Sequence, residues 1–193
     1  MNTLFLLGSV LGVVGLLLGA GFFAITGARS RAGFAALAAA VWIAAYALLL
    51  VASALLSREE VLRPGDTKYF CGFFLDCHIG VAVDGTRETA HAVITLRFSS
   101  SARRATLSPY EVQVEVIGSD GGHYAAWPDG RSELERAIGP GGSYTVDVSC
   151  DLPPGVRAER LLVSQGVGID RILDGLVIGN ENSFLHKRTY LAI

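Results

Sequence analysis

Two long apolar runs at the N-terminus constrain this chain more than any other feature of its sequence. No charged residue occurs from Leu4 to Ile25 or from Ala32 to Leu56. A helix rises about 1.5 Å per residue, so each run is long enough to cross a hydrocarbon core of about 30 Å. The sequence therefore predicts a transmembrane hairpin over residues 1–56, with helices at about 3–26 and 32–56.

A cleaved signal peptide followed by a single membrane span is the alternative interpretation of these runs. A signal peptide begins with a basic segment, continues with a short apolar stretch and ends at a cleavage site with small residues. Here no Lys or Arg precedes the first run, and the run is long. These features favour two retained helices.

Small residues form a stripe along the first predicted helix. Its members are Gly8, Gly12, Gly15 and Gly19. Such stripes let membrane helices approach closely. We expect the stripe to pack against Ala36, Ala40 and Ala47 of the second helix, or to serve a homo-oligomer.

The charges that flank the helices bear on orientation. The short loop contains Arg29 and Arg31 and no acidic residue, and short basic loops tend to stay in the cytoplasm. This predicts a C-terminal part outside the cytoplasm, either periplasmic or extracellular. Three cations just beyond the second helix, Arg58, Arg63 and Lys68, argue for the opposite orientation.

The remainder of the chain alternates between apolar and polar residues with a period of two. We expect residues 57–67 to form a linker and residues 68–193 to form one domain. In "AVITLRF" one face carries Ala92, Ile94, Leu96 and Phe98, and "EVQVEV" and "SYTVDVSCDL" repeat the pattern. Turn residues separate about seven such segments, and helices do not alternate with them. The pattern predicts an all-β antiparallel sandwich of immunoglobulin type.

A family resemblance agrees with this interpretation. The segments "AVITLRFSSSARRATLSPYEVQVEVIGSDGGHY" and "IGPGGSYTVDVSCDLPPGVRAERLLVSQ" resemble the telokin-like immunoglobulin-fold domains of unknown function in bacterial membrane-anchored and lipoprotein chains. The likeness covers roughly residues 90–165. It implies the fold and an extracytoplasmic location, and it supplies no catalytic residues.

The stretch "KYFCGFFLDCHIG" is the main candidate for chemistry. Cys71 and Cys77 are far enough apart for a disulfide, which an oxidising compartment would favour. With His78 the same thiols form a ligand set that suits copper or zinc, and free or redox-active thiols are a third possibility. The third cysteine, Cys150, falls in line with apolar residues and is expected to be an inert core thiol, with pairing to Cys71 or Cys77 left open.

Function is constrained mainly by what the sequence lacks. It contains no nucleophile elbow, zinc-protease motif or phosphate-binding loop, and its formal net charge of −2 provides no basic face for nucleic acid. We expect a non-enzymatic module of the cell envelope that contacts membrane lipid and binds or scaffolds a protein partner. The alternative is a copper- or zinc-binding electron-transfer protein using Cys71, Cys77 and His78.

Overall fold

The computed structural model describes residues 2–70, 77–88, 92–128 and 133–193. The chain divides into two compact units. The first contains Met1–Ser57 together with Ile172–Lys187, and the second contains Arg58–Arg171 together with Arg188–Ile193. The first unit thus includes a segment from near the C-terminus as well as the N-terminal helices.

Two helices form most of the first unit, α1 (Asn2–Ile25) and α2 (Arg29–Leu56). In the described part of the chain, these are the two helices that are long and apolar enough to cross a membrane. Gly27 lies between them with φ of +80°, a conformation that favours glycine, and the Ala28 N–H donates to the Phe23 carbonyl at 2.8 Å. This turn brings α2 back along α1.

The two helices pack through surfaces other than the predicted ones. A Cβ built on any glycine of the α1 stripe would find no described atom within 4 Å beyond its chain neighbours and its own helix. The buried alanines of α2 are Ala35, Ala39 and Ala54, whereas the three predicted ones are exposed. The predicted glycine–alanine interface is therefore wrong. Alanines occupy neighbouring positions of α2, about 100° apart around the axis, so composition alone could not choose between the faces. The homo-oligomer through the stripe remains a prediction.

Nine strands occur in the described residues, and one short helix, α3 (Ile169–Leu176), lies between the eighth and the ninth. The strands are β1 (Glu60–Leu62), β2 (Lys68–Phe70), β3 (Ile79–Glu88), β4 (Ala92–Ser100), β5 (Gln113–Gly118), β6 (His123–Pro128), β7 (Ser143–Cys150), β8 (Ala158–Ser164) and β9 (Thr189–Ala192). Their spatial order is β1-β9-β8-β5-β6-β7-β4-β3-β2. All described pairs are antiparallel except β1 with β9, and β1 lies within the predicted linker.

Strand β6 joins the two layers of this arrangement. Its first residues pair with β5, and its last two, Trp127 and Pro128, pair with β7. Strand β2, at one end of the strand order, also contacts strands near the other end, because the Lys68 ammonium donates to the carbonyls of Val163 in β8 and Thr189 in β9. The sheet therefore folds over on itself, and the predicted β-sandwich is confirmed at this level.

The core lies between the layers, as the period-two pattern requires. Along β4 the predicted inward residues Ala92, Ile94, Leu96 and Phe98 are all buried. Facing them from the other layer are Val114, Val116, Leu161 and Val163. In β7 the inward residues Val146, Val148 and Cys150 are buried, and the strand ends at Cys150. The alternation of β4 and β7 is thus confirmed by the burial of their inward faces.

Candidate binding surface

A cleft opens where β6 leaves β7. The two strands pair only at Trp127 with Ser149 and at Pro128 with Val148. The preceding residues of β6 belong to the other layer, so the strands diverge and leave a cavity of about 370 Å³. The described residues that line it are His123, Tyr124, Ala125, Trp127, Pro128, Ser149 and Asp151. We call this region the Trp127 cleft.

Trp127 is the most prominent side chain of the cleft. It is 62% exposed, although an indole gains much by burial. The alternation of β6 places it on the outward face with His123 and Ala125, while Ala126 faces the core. A large, stiff aromatic group on a sheet surface is the kind of side chain that anchors protein interfaces.

Acidic groups surround the aromatic ones. The Tyr124 hydroxyl donates to Asp120 Oδ2 at 2.6 Å, and this hydrogen bond lowers the pKa of Asp120, helped by the Gly122 N–H. The same bond raises the pKa of Tyr124. Nearby, His123 Nδ1 lies 2.9 Å from Glu115 Oε2. The cleft thus combines an exposed indole with the Asp151 carboxylate, and Asp120 and Glu115 bond to two of its other lining residues, a setting suited to basic and apolar side chains together.

Cys150 lies beneath the cleft as a free thiol. It is 1% exposed, and its Sγ donates weakly to the Tyr124 carbonyl at 3.9 Å. Burial raises the pKa of this thiol, and the nearby Asp151 charge acts in the same direction. A buried thiol that holds its proton is a poor nucleophile and a poor metal ligand.

The candidate residues for metal or disulfide chemistry lie elsewhere. Cys71 falls outside the described residues, so its relation to Cys77 and His78 stays a prediction. His78 is exposed, with Nδ1 3.0 Å from Ser101 Oγ, and Cys77 is not a free thiol. Within the described ranges no three His, Cys, Asp or Glu residues form a metal-binding group.

Strand register separates Cys150 from this candidate site. Cys150 pairs with Ala92 at one end of β4, whereas Ile79, next to His78, pairs with Ser100 at the other end. At about 3.4 Å per residue, these ends of β4 lie about 27 Å apart. Cys150 therefore does not join Cys77 and His78.

Sequence reasoning did not single out the Trp127 cleft. The signal was present in "HYAAWP", where alternation puts Trp127 on the face opposite Ala126. The divergence of β6 from β7 depends on long-range pairing, which local patterns do not reveal.

No family model matches the chain, and no curated protein matches it in sequence. Among solved structures it is similar to a secreted protein of Mycobacterium tuberculosis, MPT63, with a TM-score of 0.45 and 12% identity over 70% of this chain and 98% of that one. It is also similar to an uncharacterized β-sandwich protein of Clostridium difficile 630, with a TM-score of 0.39 and 9% identity over 71% of this chain and 95% of that one. At these scores neither likeness assigns a topology, a family or a function.

Proposed function

We propose that this protein is a membrane-anchored, extracytoplasmic, immunoglobulin-like module of the cell envelope that binds a protein partner through the Trp127 cleft and catalyses no reaction. The observation that carries the proposal is the exposed indole of Trp127 in a cleft whose lining includes the Asp151 carboxylate, with Asp120 and Glu115 bonded to two other lining residues. The structural elements that supply the anchor and the cleft are separate compact units.

Retention of the N-terminal helices is supported by contacts within the first unit. The Tyr46 hydroxyl donates to the Leu176 carbonyl at 2.7 Å, and the Lys187 N–H donates to Ser57 Oγ at 2.9 Å. A segment near the C-terminus is thus bonded to α2 at Tyr46 and to Ser57, the residue that follows α2. Such bonding is expected of a helix that remains in the mature protein, and the stacking of Phe5 on Tyr46, with ring centroids 5.8 Å apart, extends it to α1.

Binding of a protein is favoured over binding of a small ligand by the shape of the cleft. It is an open space between two strands and presents one large aromatic group with scattered polar ones, whereas small-molecule sites enclose most of the ligand. Unpaired backbone of β6 borders it, and such an edge can also accept an extended peptide.

A disulfide between Cys71 and Cys77 belongs to the same proposal. It is supported by the state of Cys77, which is not a free thiol, and by that of Cys150, which is. The bond would brace the loop between β2 and β3 in an oxidising compartment. The copper or zinc alternative depends on Cys71, outside the described residues, and remains a prediction.

Site-specific photocrosslinking in cells that express the full chain tests the binding role. A photoreactive amino acid would replace Trp127 in one variant and Thr145, an exposed residue of β7, in the matched control. We expect one discrete protein adduct from position 127 and none from position 145. Identical adducts at both positions, or none at either, would contradict the proposed surface.

A further inference from the structure

The segment Ile172–Lys187, which we call the strap, belongs to the same compact unit as the helical hairpin. It begins within α3 and continues through a series of turns to Lys187. Three of its large apolar side chains are strongly exposed: Ile172 at 58%, Phe184 at 53% and Leu185 at 77%. Exposed apolar groups gathered in one short segment indicate a contact surface.

Two hydrogen bonds fix the level of the strap along α2. Tyr46, which bonds to Leu176, lies about 25 Å along the helix from Arg29, and Ser57, which bonds to Lys187, lies about 16 Å farther. If a hydrocarbon core of about 30 Å begins at the level of Arg29, Tyr46 lies near its far boundary. Tyrosine is enriched at that boundary.

The exposed surface of α2 at the level of the strap requires an apolar environment. Between Tyr46 and Ser57 the leucines Leu48, Leu49, Leu55 and Leu56 are each at least half exposed. A helix that is apolar on its exposed face at this level is unfavourable in water and is suited to lipid. The strap presents its own apolar side chains at the same level, so one lipid surface can cover both.

Part of the strap's backbone is hydrogen-bonded within the strap. The N–H groups of Val177, Asn180, Ser183 and Phe184 all donate to carbonyls of the strap itself, over 2.9 to 3.2 Å. The Leu176 carbonyl, near the end of α3, accepts from Tyr46. In lipid, polar backbone groups must be satisfied internally, and these bonds meet that condition for part of the strap.

Two local features hold the apolar residues in place. A Cβ at Gly175 would lie 3.1 Å from the Phe184 ring, so the absence of a side chain allows that ring to pack on α3. Leu185 has φ of +64°, a left-handed conformation that is unfavourable for leucine. A strained leucine that is also exposed gains nothing from water, which points to a contact at this position.

We infer that the strap is a lipid-binding element that inserts Ile172, Phe184 and Leu185 into the boundary between headgroups and acyl chains. The inference rests on the proposed membrane anchoring and adds a third point of membrane contact, formed by residues more than a hundred positions after the hairpin. The occupant is the lipid surface itself, because the strap is bonded at the level along the hairpin where the exposed leucines of α2 also require lipid.

Fluorescence quenching in vesicles tests this inference. The full chain would be reconstituted in phosphatidylcholine vesicles with and without lipids brominated near the top of the acyl chains. The chain has two tryptophans, Trp42 in α2 and Trp127 in β6. Leu185→Trp would be placed in a background with Trp42→Phe and Trp127→Phe, and Phe184→Trp in the same background guards against misfolding of the first variant.

Two reference variants report on anchoring and on the sandwich surface. Trp127→Phe leaves Trp42 as the reporter for the hairpin, and Trp42→Phe leaves Trp127 as the reporter for the sandwich surface. We expect brominated lipid to lower the emission of the strap reporters about twofold, as for an interfacial residue, and to leave Trp127 nearly unchanged.

The outcomes separate the inference from the proposal beneath it. If brominated lipid quenches Trp42 but not the strap reporters, the lipid-binding strap is refuted and the anchor stands. This holds whether the strap reporters are accessible to acrylamide, a quencher dissolved in the water, or shielded from it by protein. If Trp42 is not quenched either, the membrane anchoring fails and the inference fails with it.

Discussion

Replacing Lys68 with methionine tests how the sandwich is closed. Lys68 lies in β2, at one end of the strand order, and is 4% exposed. Its Nζ donates to the Val163 carbonyl at 2.8 Å and to the Thr189 carbonyl at 3.1 Å. Strands β8 and β9 pair at Leu161 with Leu191, and two residues farther along the register would oppose Val163 and Thr189. The ammonium therefore bonds to the carbonyls of the residue pair with which the β8–β9 ladder would continue.

The size of the effect follows from these two contacts. Lys68→Met retains the apolar stem but leaves two inward carbonyls without their donor. An unsatisfied buried polar group costs about 1–3 kcal/mol, and removal of the buried ammonium returns part of that by avoiding its desolvation. We expect a loss of about 2–4 kcal/mol in the free energy of unfolding. For a domain of this size that corresponds to a decrease in Tm of about 8–16 °C.

Thermal unfolding of the full chain in detergent, followed by near-ultraviolet circular dichroism, measures this loss. Arg87→Met is the matched control, because Arg87 forms an exposed ion pair with Asp147 and loss of such a pair costs less than about 1 kcal/mol. If Lys68→Met unfolds within about 2 °C of the wild type, the ammonium does not contribute to closure and the reasoning is refuted.

Two further predictions concern titration and thiols. The Tyr144 hydroxyl donates to the Leu134 carbonyl at 3.0 Å, and burial raises the pKa of Tyr144 to about 12. Because the folded pKa exceeds the unfolded value of about 10, the contribution of the neutral Tyr144 phenol to the free energy of unfolding is complete below pH 10 and is lost as the pH rises towards 12. Tyr144→Phe should remove that part of the pH dependence of urea unfolding. A Tyr144 phenol that titrates near 10 in an absorbance titration of the folded chain would contradict this. For the cysteines, we expect one free thiol in the denatured, unreduced protein, assigned to Cys150, and slow alkylation of it in the folded protein because burial raises its pKa. Three thiols accompanied by copper or zinc would instead favour the metal alternative.

The parts of the fold that were predictable are those with a short repeat. The uncharged runs specify α1 and α2, and the alternation of Ile94, Leu96 and Phe98 specifies β4 and its inward face, because length and period reflect local geometry. The immunoglobulin-like topology could not be derived in this way, since strand order depends on pairing between distant segments.

The features that were missed all depend on contacts over long sequence distances. The Trp127 cleft exists because β6 exchanges one layer for the other, and the strap joins α2 across more than a hundred residues. The helix interface was predicted on the wrong face of α2 for a different reason, because adjacent alanines make two faces of α2 nearly equivalent in composition. Cys71 and its neighbours lie outside the described residues, so their chemistry stays a prediction.

Topology mapping in cells tests the central claim, a membrane-anchored sandwich outside the cytoplasm. Thr145→Cys places a thiol on the sandwich surface, and Ser30→Cys places one in the first turn of α2, next to the loop that joins the two helices, both at exposed positions. The wild type is the control, because its free thiol is buried. We predict that a membrane-impermeant maleimide labels the chain with Thr145→Cys in intact cells and the chain with Ser30→Cys only after permeabilisation, while both chains resist carbonate extraction. The reverse labelling pattern, or release of the chain by carbonate, would contradict the account.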